Sequence, residues 1–360
     1  MPGAPLAKSD HVPPLLVVTL CLAGRTTRLR PFYGYRIVNI SVPRYRVRVG
    51  ITLSFMATTA SASCGSAFCT LMTDRYAQGT GESHIGWSAD LRVESVSQTR
   101  LRSGTSSIDP SQVTGEDAIE RHTKNLSVIT TLGYGFDADW SVSVRIPVVR
   151  RDHLHDLIDS ATGLPTTSEQ WRFTKLGDVQ VLARRQFLSD DGRTAGALFG
   201  GLKLPTGSTQ VTNADAVRAE RALQPGSGTT DLVIGAAARH AIGGSDALIW
   251  QTSLIAAVAK HEEFRPGRRA EAALGWSHAY SEGLGTVVQL NMLHRAHDSG
   301  AQAEPSNSGS TTINLSPGVT FGVGQTATIY VYVQLPLYQR VTGIQLVPRN
   351  SLALGWTSDF

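Results

Sequence analysis

From residue 81 onward, apolar side chains recur at every second position. That is the period of a strand with one dry face and one wet face. "HIGWSADLRVESV" sets Ile85, Trp87, Ala89, Leu91 and Val93 on one side, and Gly86, Ser88, Asp90, Arg92 and Glu94 on the other. "NLSVITTLGY" supplies Leu126, Val128 and Leu132. "WSVSVRIPV" sets Trp140, Val142, Val144, Ile146 and Val148 against Ser141, Ser143 and Arg145. The same pattern predicts strands at roughly 175–187, 194–204, 231–241, 247–259, 270–280, 285–294, 311–323, 326–336 and 350–360, which makes twelve.

The connections alternate in length. Short turns at "FDAD", Ser189–Gly192, Gly243–Asp246, Ser281–Gly285 and "GVGQT" separate long stretches at 97–124, 150–174, 205–230, 260–269, 295–310 and 337–349. Neighbours joined tightly at one end and loosely at the other form an up-and-down antiparallel sheet. The expected fold is therefore all-β: a transmembrane β-barrel of about 12 strands, with short periplasmic turns and long extracellular loops. Strands of about ten residues suit a tilted crossing of a bilayer. In lipid an open sheet edge leaves polar backbone groups unsatisfied, so the sheet must close. The last segment, "NSLALGWTSDF", is then expected to pair with the first strand and to place Phe360 at the interface. A closing strand with a terminal aromatic resembles the signal read by barrel assembly machinery, the partner expected for Phe360. A soluble β-sandwich also alternates, but it does not predict uniform long strands or the strict loop alternation.

Composition agrees with this reading. Hydrophobic residues make up 41% and charged residues 17% of the 360, against about 25% charged in an ordinary soluble domain. No apolar run reaches the roughly 18 residues that a spanning helix needs. Aromatic residues cluster at strand ends, at Tyr134, Phe136, Trp140, Phe187, Tyr280, Tyr330, Tyr332, Trp356 and Phe360, and several of them suit interfacial girdles.

The net charge of +4 is misleading. Residues 1–62 hold eight basic side chains and one acid, Asp10, so the remainder carries −3. A nucleic-acid partner is excluded, because the basic excess lies in a segment expected to be removed. "RYRVRVGITLSFMATTASASC" has a basic start, an apolar stretch from Val49 to about Ala57 and an A-x-A pattern at Ala60 and Ala62. It reads as a secretory signal peptide cleaved after Ala62. Residues 1–62 are thus leader and signal, with a true start near Val42 or Val47. Residues 63–80 form a periplasmic segment containing Cys64 and Cys69, and 81–360 form the outer-membrane barrel. In an exported protein the two cysteines suit a disulfide better than a metal.

The polar faces carry the candidate chemistry. By alternation Asp90, Arg92 and Glu94 point inward from the first strand and Arg145 from the third. Gln180 and Arg184 follow, then Lys203, Arg239, Gln289 and Asn291. Such a mixed-charge interior lines an aqueous passage or plugs a narrow lumen. No catalytic constellation emerges. Ser277 and His278 are adjacent and so face opposite ways, and "LPTGS" lacks the lysine of a phosphate loop. His153 and His155, like His294, His297 and Asp298, could hold a metal ion weakly but read in preference as solvated loop residues.

Three motifs occur in order: Gly177-Asp178 opening a strand, Leu204-Pro205-Thr206-Gly207 after a glycine-rich strand, and Pro225-Gly226-x-Gly228-x-x-Asp231. Over about 175–241 the chain resembles the outer-membrane channel family associated with the meta-cleavage pathway of phenol degradation. The resemblance implies a channel passing small solutes, aromatic or otherwise hydrophobic, by passive diffusion, with outer-membrane lipid around it and no cofactor. The rival readings are a closed barrel working through its loops or its cysteine segment, and a membrane-embedded lipid hydrolase.

Overall fold

The computed structural model describes residues 37–42, 45–50, 71, 84–114, 116–159, 161–281 and 283–360. It divides into two units, Met1–Thr58 and Thr59–Phe360. In the first, strands β1 (Ile37–Val42) and β2 (Tyr45–Gly50) form an antiparallel hairpin. The expected cleavage point after Ala62 and the Cys64–Cys69 pair lie outside the described residues.

The second unit is a closed antiparallel barrel. Its strands are β3 (Gly86–Gly104), the two-residue flap β4 (Ser106–Ser107), β5 (Ala118–Gly135), β6 (Trp140–Ile158), β7 (Pro165–Leu176), β8 (Val179–Leu188) and β9 (Thr194–Leu204). They continue with β10 (Asp231–Ala241), β11 (Asp246–Ala257), β12 (Arg269–Ser281), β13 (Leu284–Arg295), β14 (Ser310–Val323) and β15 (Ala327–Asp359). Each strand pairs with its sequence neighbour, with two refinements. β7 pairs the upper half of β6 and β8 the lower half, so together they make one stave interrupted at Gly177–Asp178. β15 reverses at Thr342–Gly343, so that 327–341 pairs with β14 and 344–359 pairs with β3. Counted by position in the wall, there are twelve staves.

The closing strand behaves as its pattern predicts. Leu354 lies opposite Val93 and Asp359 opposite Ser88, and the Phe360 amide donates to the Trp87 carbonyl at 2.9 Å. Outward side chains are apolar and exposed: Leu198, Leu232, Leu254 and Leu274 on neighbouring strands. A continuous apolar belt of this kind is the mark of a surface that meets lipid. No helix among the described residues is long and apolar enough to cross a membrane. Trp87, Phe136, Trp140, Phe187, Tyr280 and Phe360 are exposed around the short-turn end and form a girdle there. Arg185 lies over Trp140 and Phe187 at 5.5 and 5.2 Å from their ring centres.

Three expectations need correction. The stretch 337–349 is not a loop, because strand pairing runs through it up to the reversal. The connections expected at 97–124 and 150–174 shrink to 105–117 and 159–164, because β3, β5, β6 and β7 rise past the membrane belt. On β6 the change is visible in the sequence: the outward positions after Val148 are Arg150 and Asp152. Finally, Tyr330 and Tyr332 are not girdle residues but are fully buried inside the barrel.

Alternation explains the tyrosines. Ile329, Val331, Val333 and Leu335 occupy the outer face, so Tyr330, Tyr332 and Gln334 must point in. Two glycines make room for the rings: a Cβ on Gly318 would come within 2.2 Å of the Tyr332 ring, and one on Gly355 within 2.2 Å of the Tyr330 ring. Gly355→Leu is therefore expected to overpack the lumen and destabilise the barrel by about 1–3 kcal/mol. The check is a lower temperature for loss of the compact, heat-modifiable gel species, with Leu354→Val on the outer face as control.

Candidate functional site

Two neighbouring cavities are present, one lined by the barrel wall and one among the loops above it. The lower is a chamber of about 220 Å³ that takes in Arg92, Arg145, Gln180 and Lys203 from the wall, with Phe199, Leu182 and Pro147 as apolar lining. The upper, of about 340 Å³, is lined by Glu220, Ala303, Glu304 and Ser308. Both touch Arg221, Ala222 and Phe264. The short 3₁₀ turn Arg221–Leu223, carried by the loop 205–230, is thus a septum between them.

The three sequence motifs, far apart along the chain, meet at the root of this loop. The Asp178 carboxylate accepts from the Gly207 amide (3.0 Å) and from the Ser227 amide and hydroxyl (2.9 and 2.8 Å). Lys203 donates to Asp178 at 2.6 Å and pairs with Asp231 at 3.2 Å. Gly207 and Gly226 touch backbone to backbone, since a Cβ on either would fall within 2.6 Å of the other. The Thr206 hydroxyl donates to the Gly177 carbonyl and accepts from the Val179 amide, which pins the break in the β7–β8 stave. These residues shape the loop, and Lys203 also faces the chamber.

The body of the loop packs on the raised inner face of β6 and β7. Trp171 and Phe173 bury Val211, Ala219 and Leu223. The Trp171 indole donates to the Val217 carbonyl at 3.0 Å. Arg151 donates to Asn125 at 2.7 Å and to the Leu223 carbonyl. Arg218 and Arg221 reach Glu262 at 2.7 and 3.2 Å, and Arg221 lies 5.2 Å from the centre of the Phe264 ring.

Beneath this loop His153 and His155 are buried on β6, not solvated in a loop as expected, because the strand continues and the loop covers it. Their rings meet edge to face at 5.5 Å, and both contact Trp171. His153 Nδ1 bonds the Thr123 hydroxyl at 2.8 Å, and His155 Nε2 donates to Glu169 at 3.0 Å. Burial pushes His153 well below its ordinary pKa, helped by the nearby His155, Arg151 and His122. Burial also lowers His155, against the pull of Glu169 and Asp156. On the loop, both Glu220 carboxyl oxygens are buried without a hydrogen-bond partner. Burial, with Glu304, Glu120 and Glu169 nearby, pushes that carboxyl well above its ordinary range.

The remaining sequence candidates sit elsewhere. Glu94 is fully buried and pairs with Arg92 at 2.9 Å. Asp90 accepts from the Tyr330 hydroxyl at 2.7 Å. Gln289 and Asn291 are fully buried and bonded to each other at 3.0 Å. Arg184 and Arg239 do not line either cavity. Toward the short-turn end, Ile249, Val287, Tyr330, Tyr332 and Ala353 form an apolar cluster in the lumen, joined by Leu71. On the outer wall His278 faces Asp246 at 2.9 Å, while Ser277 is buried on the inner side. Among the described residues no three His, Cys, Asp or Glu side chains are grouped to hold a metal ion. Alternation missed the cations Arg151, Arg221, Arg269 and Arg295, which also face the chamber. Arg151 shares the parity of Arg145 and was open to the same rule, whereas Arg221 is brought in only by the folded loop.

No family model and no curated protein matches the sequence. Among solved structures, the fold is similar to that of the COG4313 outer membrane channel from Pseudomonas putida F1, with a TM-score of 0.55 and 12% identity over 78% of this chain and 98% of that one. A Pseudomonas aeruginosa FadL homologue aligns with a TM-score of 0.40 and 9% identity over 83% and 96% of the two chains. The Pseudomonas putida toluene transporter TodX gives 0.40 and 7% over 84% and 96%. At 12% identity the likeness to the first of these is one of fold, that of an outer-membrane β-barrel.

Proposed function

We propose that the chain is an outer-membrane channel through which small solutes diffuse passively, narrowed by the loop 205–230. The observation that carries the reading is a polar chamber facing the barrel wall with a second cavity among the loops beyond it, the two sharing Arg221, Ala222 and Phe264. A barrel built only as a scaffold has no need of a polar chamber beneath a folded-in loop. Aromatic or other hydrophobic small molecules are the solute class favoured by the motif resemblance, and the apolar share of the chamber lining suits them. The reading needs no cofactor. It assigns Phe360, exposed at the closing strand, to recognition by assembly machinery.

A second reading is a barrel closed at its periplasmic half, favoured by the apolar cluster around Tyr330, Tyr332 and Leu71. Planar bilayers separate the two. A channel gives discrete conductance steps from the purified, heat-modifiable barrel, and small sugars equilibrate across liposomes that contain it. A folded barrel that yields neither is the closed form.

A further inference from the structure

Seven cations face the lower chamber, and six of them are engaged. Arg92 pairs with Glu94, Lys203 with Asp178 and Asp231, Arg269 with Glu271, Arg295 with Asp298, and Arg221 with Glu262. Arg151 is bonded to Asn125 and to the loop backbone. Arg145 alone makes no hydrogen bond or ion pair among the described residues.

The strand register explains why. One row of paired positions crosses six staves: Asp90, Thr131, Arg145, Gln180, Lys203 and Asp231. Side chains in such a row are the closest lateral neighbours on a sheet face. Arg145 therefore lies between two uncharged side chains, Thr131 and Gln180. Along its own strand the next inward residues are Ser143 and Pro147, also uncharged. The acids near enough to act on it are Asp90, Glu94 and Glu271. Asp90 is taken by Tyr330, and the other two by Arg92 and Arg269. Arg145 is half-buried, and its guanidinium faces the chamber with no wall carboxylate left to pair it.

What completes it is constrained by the rest of the chamber. Phe199, Leu182, Pro147, Ile129 and Val149 present apolar surface on the same staves and their neighbours. The volume, about 220 Å³, is below the roughly 300–1,000 Å³ of pockets for drug-sized ligands. A planar guanidinium fork matches a carboxylate in two parallel hydrogen bonds. Resting on the channel reading above, we propose that Arg145 holds the carboxylate of a small amphipathic monoanion, whose apolar body, of the size of a single ring, lies against Phe199 and Leu182 during passage.

The test uses the full barrel in detergent and in planar bilayers, with benzoate as probe and benzyl alcohol as its uncharged counterpart. Wild type is expected to bind benzoate in preference to benzyl alcohol by calorimetry, and benzoate is expected to reduce the chloride current. Arg145→Gln is expected to weaken benzoate about tenfold or more, the loss of a charge-assisted pair, and to leave benzyl alcohol unchanged. Gln180→Glu, which places a carboxylate beside Arg145 in the same row, is expected to remove the benzoate preference while retaining the native arginine. Equal benzoate affinity in wild type and both variants, or no benzoate binding by wild type, overturns the assignment. Conductance without any Arg145-dependent effect of benzoate overturns it and leaves the channel intact. Arg145-dependent binding in a barrel that never conducts supports the site and overturns the channel.

Discussion

Trp171→Ala is expected to raise conductance through the barrel severalfold and to leave the barrel folded. Trp171 is only 2% exposed and is the largest side chain holding the loop 205–230 against the wall. Its indole also donates to the loop backbone at Val217. Truncating a buried tryptophan costs about 3–5 kcal/mol. Here the loss falls on docking of the loop, because β7 bears Trp171 above the apolar belt and β6 and β8 pair without it. A displaced loop is expected to withdraw Arg221 and Ala222, which line both cavities, and so to join them. Limited trypsin digestion supplies an independent reading: cleavage at Arg218 is expected to accelerate in the variant while the gel mobility of the folded barrel is kept. Wild-type conductance together with wild-type protection at Arg218 means that the loop is not held by this contact.

The second large effect is one of pH. His153 and His155 are buried neutral under the same loop, with pKa values pushed below the ordinary 6.5. A histidine whose pKa is lower when docked than when released binds more protons in the released state. Its contribution to docking is complete above about pH 6.5 and is lost as pH falls below that value. Glu220 acts in the opposite sense. Its docked carboxyl is raised above the ordinary 4.5, so its contribution is complete below about pH 4.5 and is lost as pH rises through the raised value. The two windows overlap between about pH 4.5 and 6.5 and partly cancel there, so the wild-type profile is expected to be shallow. Glu220→Gln removes one side of the balance. The variant is expected to dock more tightly at pH 7.5 and to release its loop more steeply on acidification, with faster cleavage at Arg218 by pH 5.5. His153→Gln combined with His155→Gln leaves the opposite slope. If all three proteins share one profile, neither the histidines nor Glu220 governs the loop.

Much of this architecture was legible in the sequence wherever one face of a strand meets lipid. There the environment is uniform, and alternation of Leu, Ile and Val with polar residues reports the strand directly, from Trp140 to Val148 and again from Leu352 to Phe360. Above the membrane both faces of β6 and β7 are polar or mixed. Arg150, Asp152 and Gln170 therefore hid strands that hydrogen bonding and the covering loop sustain. Parity placed Arg92, Arg145, Gln180 and Lys203 on the side where the chamber forms. It carried no information about which cation would lack a partner, because that depends on the register between strands. Misreading Tyr330 and Tyr332 had a different cause. An aromatic near a strand end suits a girdle by residue type, but the parity of Ile329 and Val331 excluded it. The septum was out of reach altogether, since it depends on how Trp171 and Arg151 fold 26 residues back into the lumen.

The seam between β3 and the second half of β15 has a kinetic consequence. These are the first and last staves of the wall, and their union must wait until every intervening hairpin has been laid down. Joining segments so distant in sequence carries the largest entropic cost in the molecule. Until then two raw flanks of backbone stay open to stray pairing with other chains. Substitutions along this join therefore act on the speed and fidelity of assembly more than on the finished wall. A crowded or starved assembly pathway would register them first.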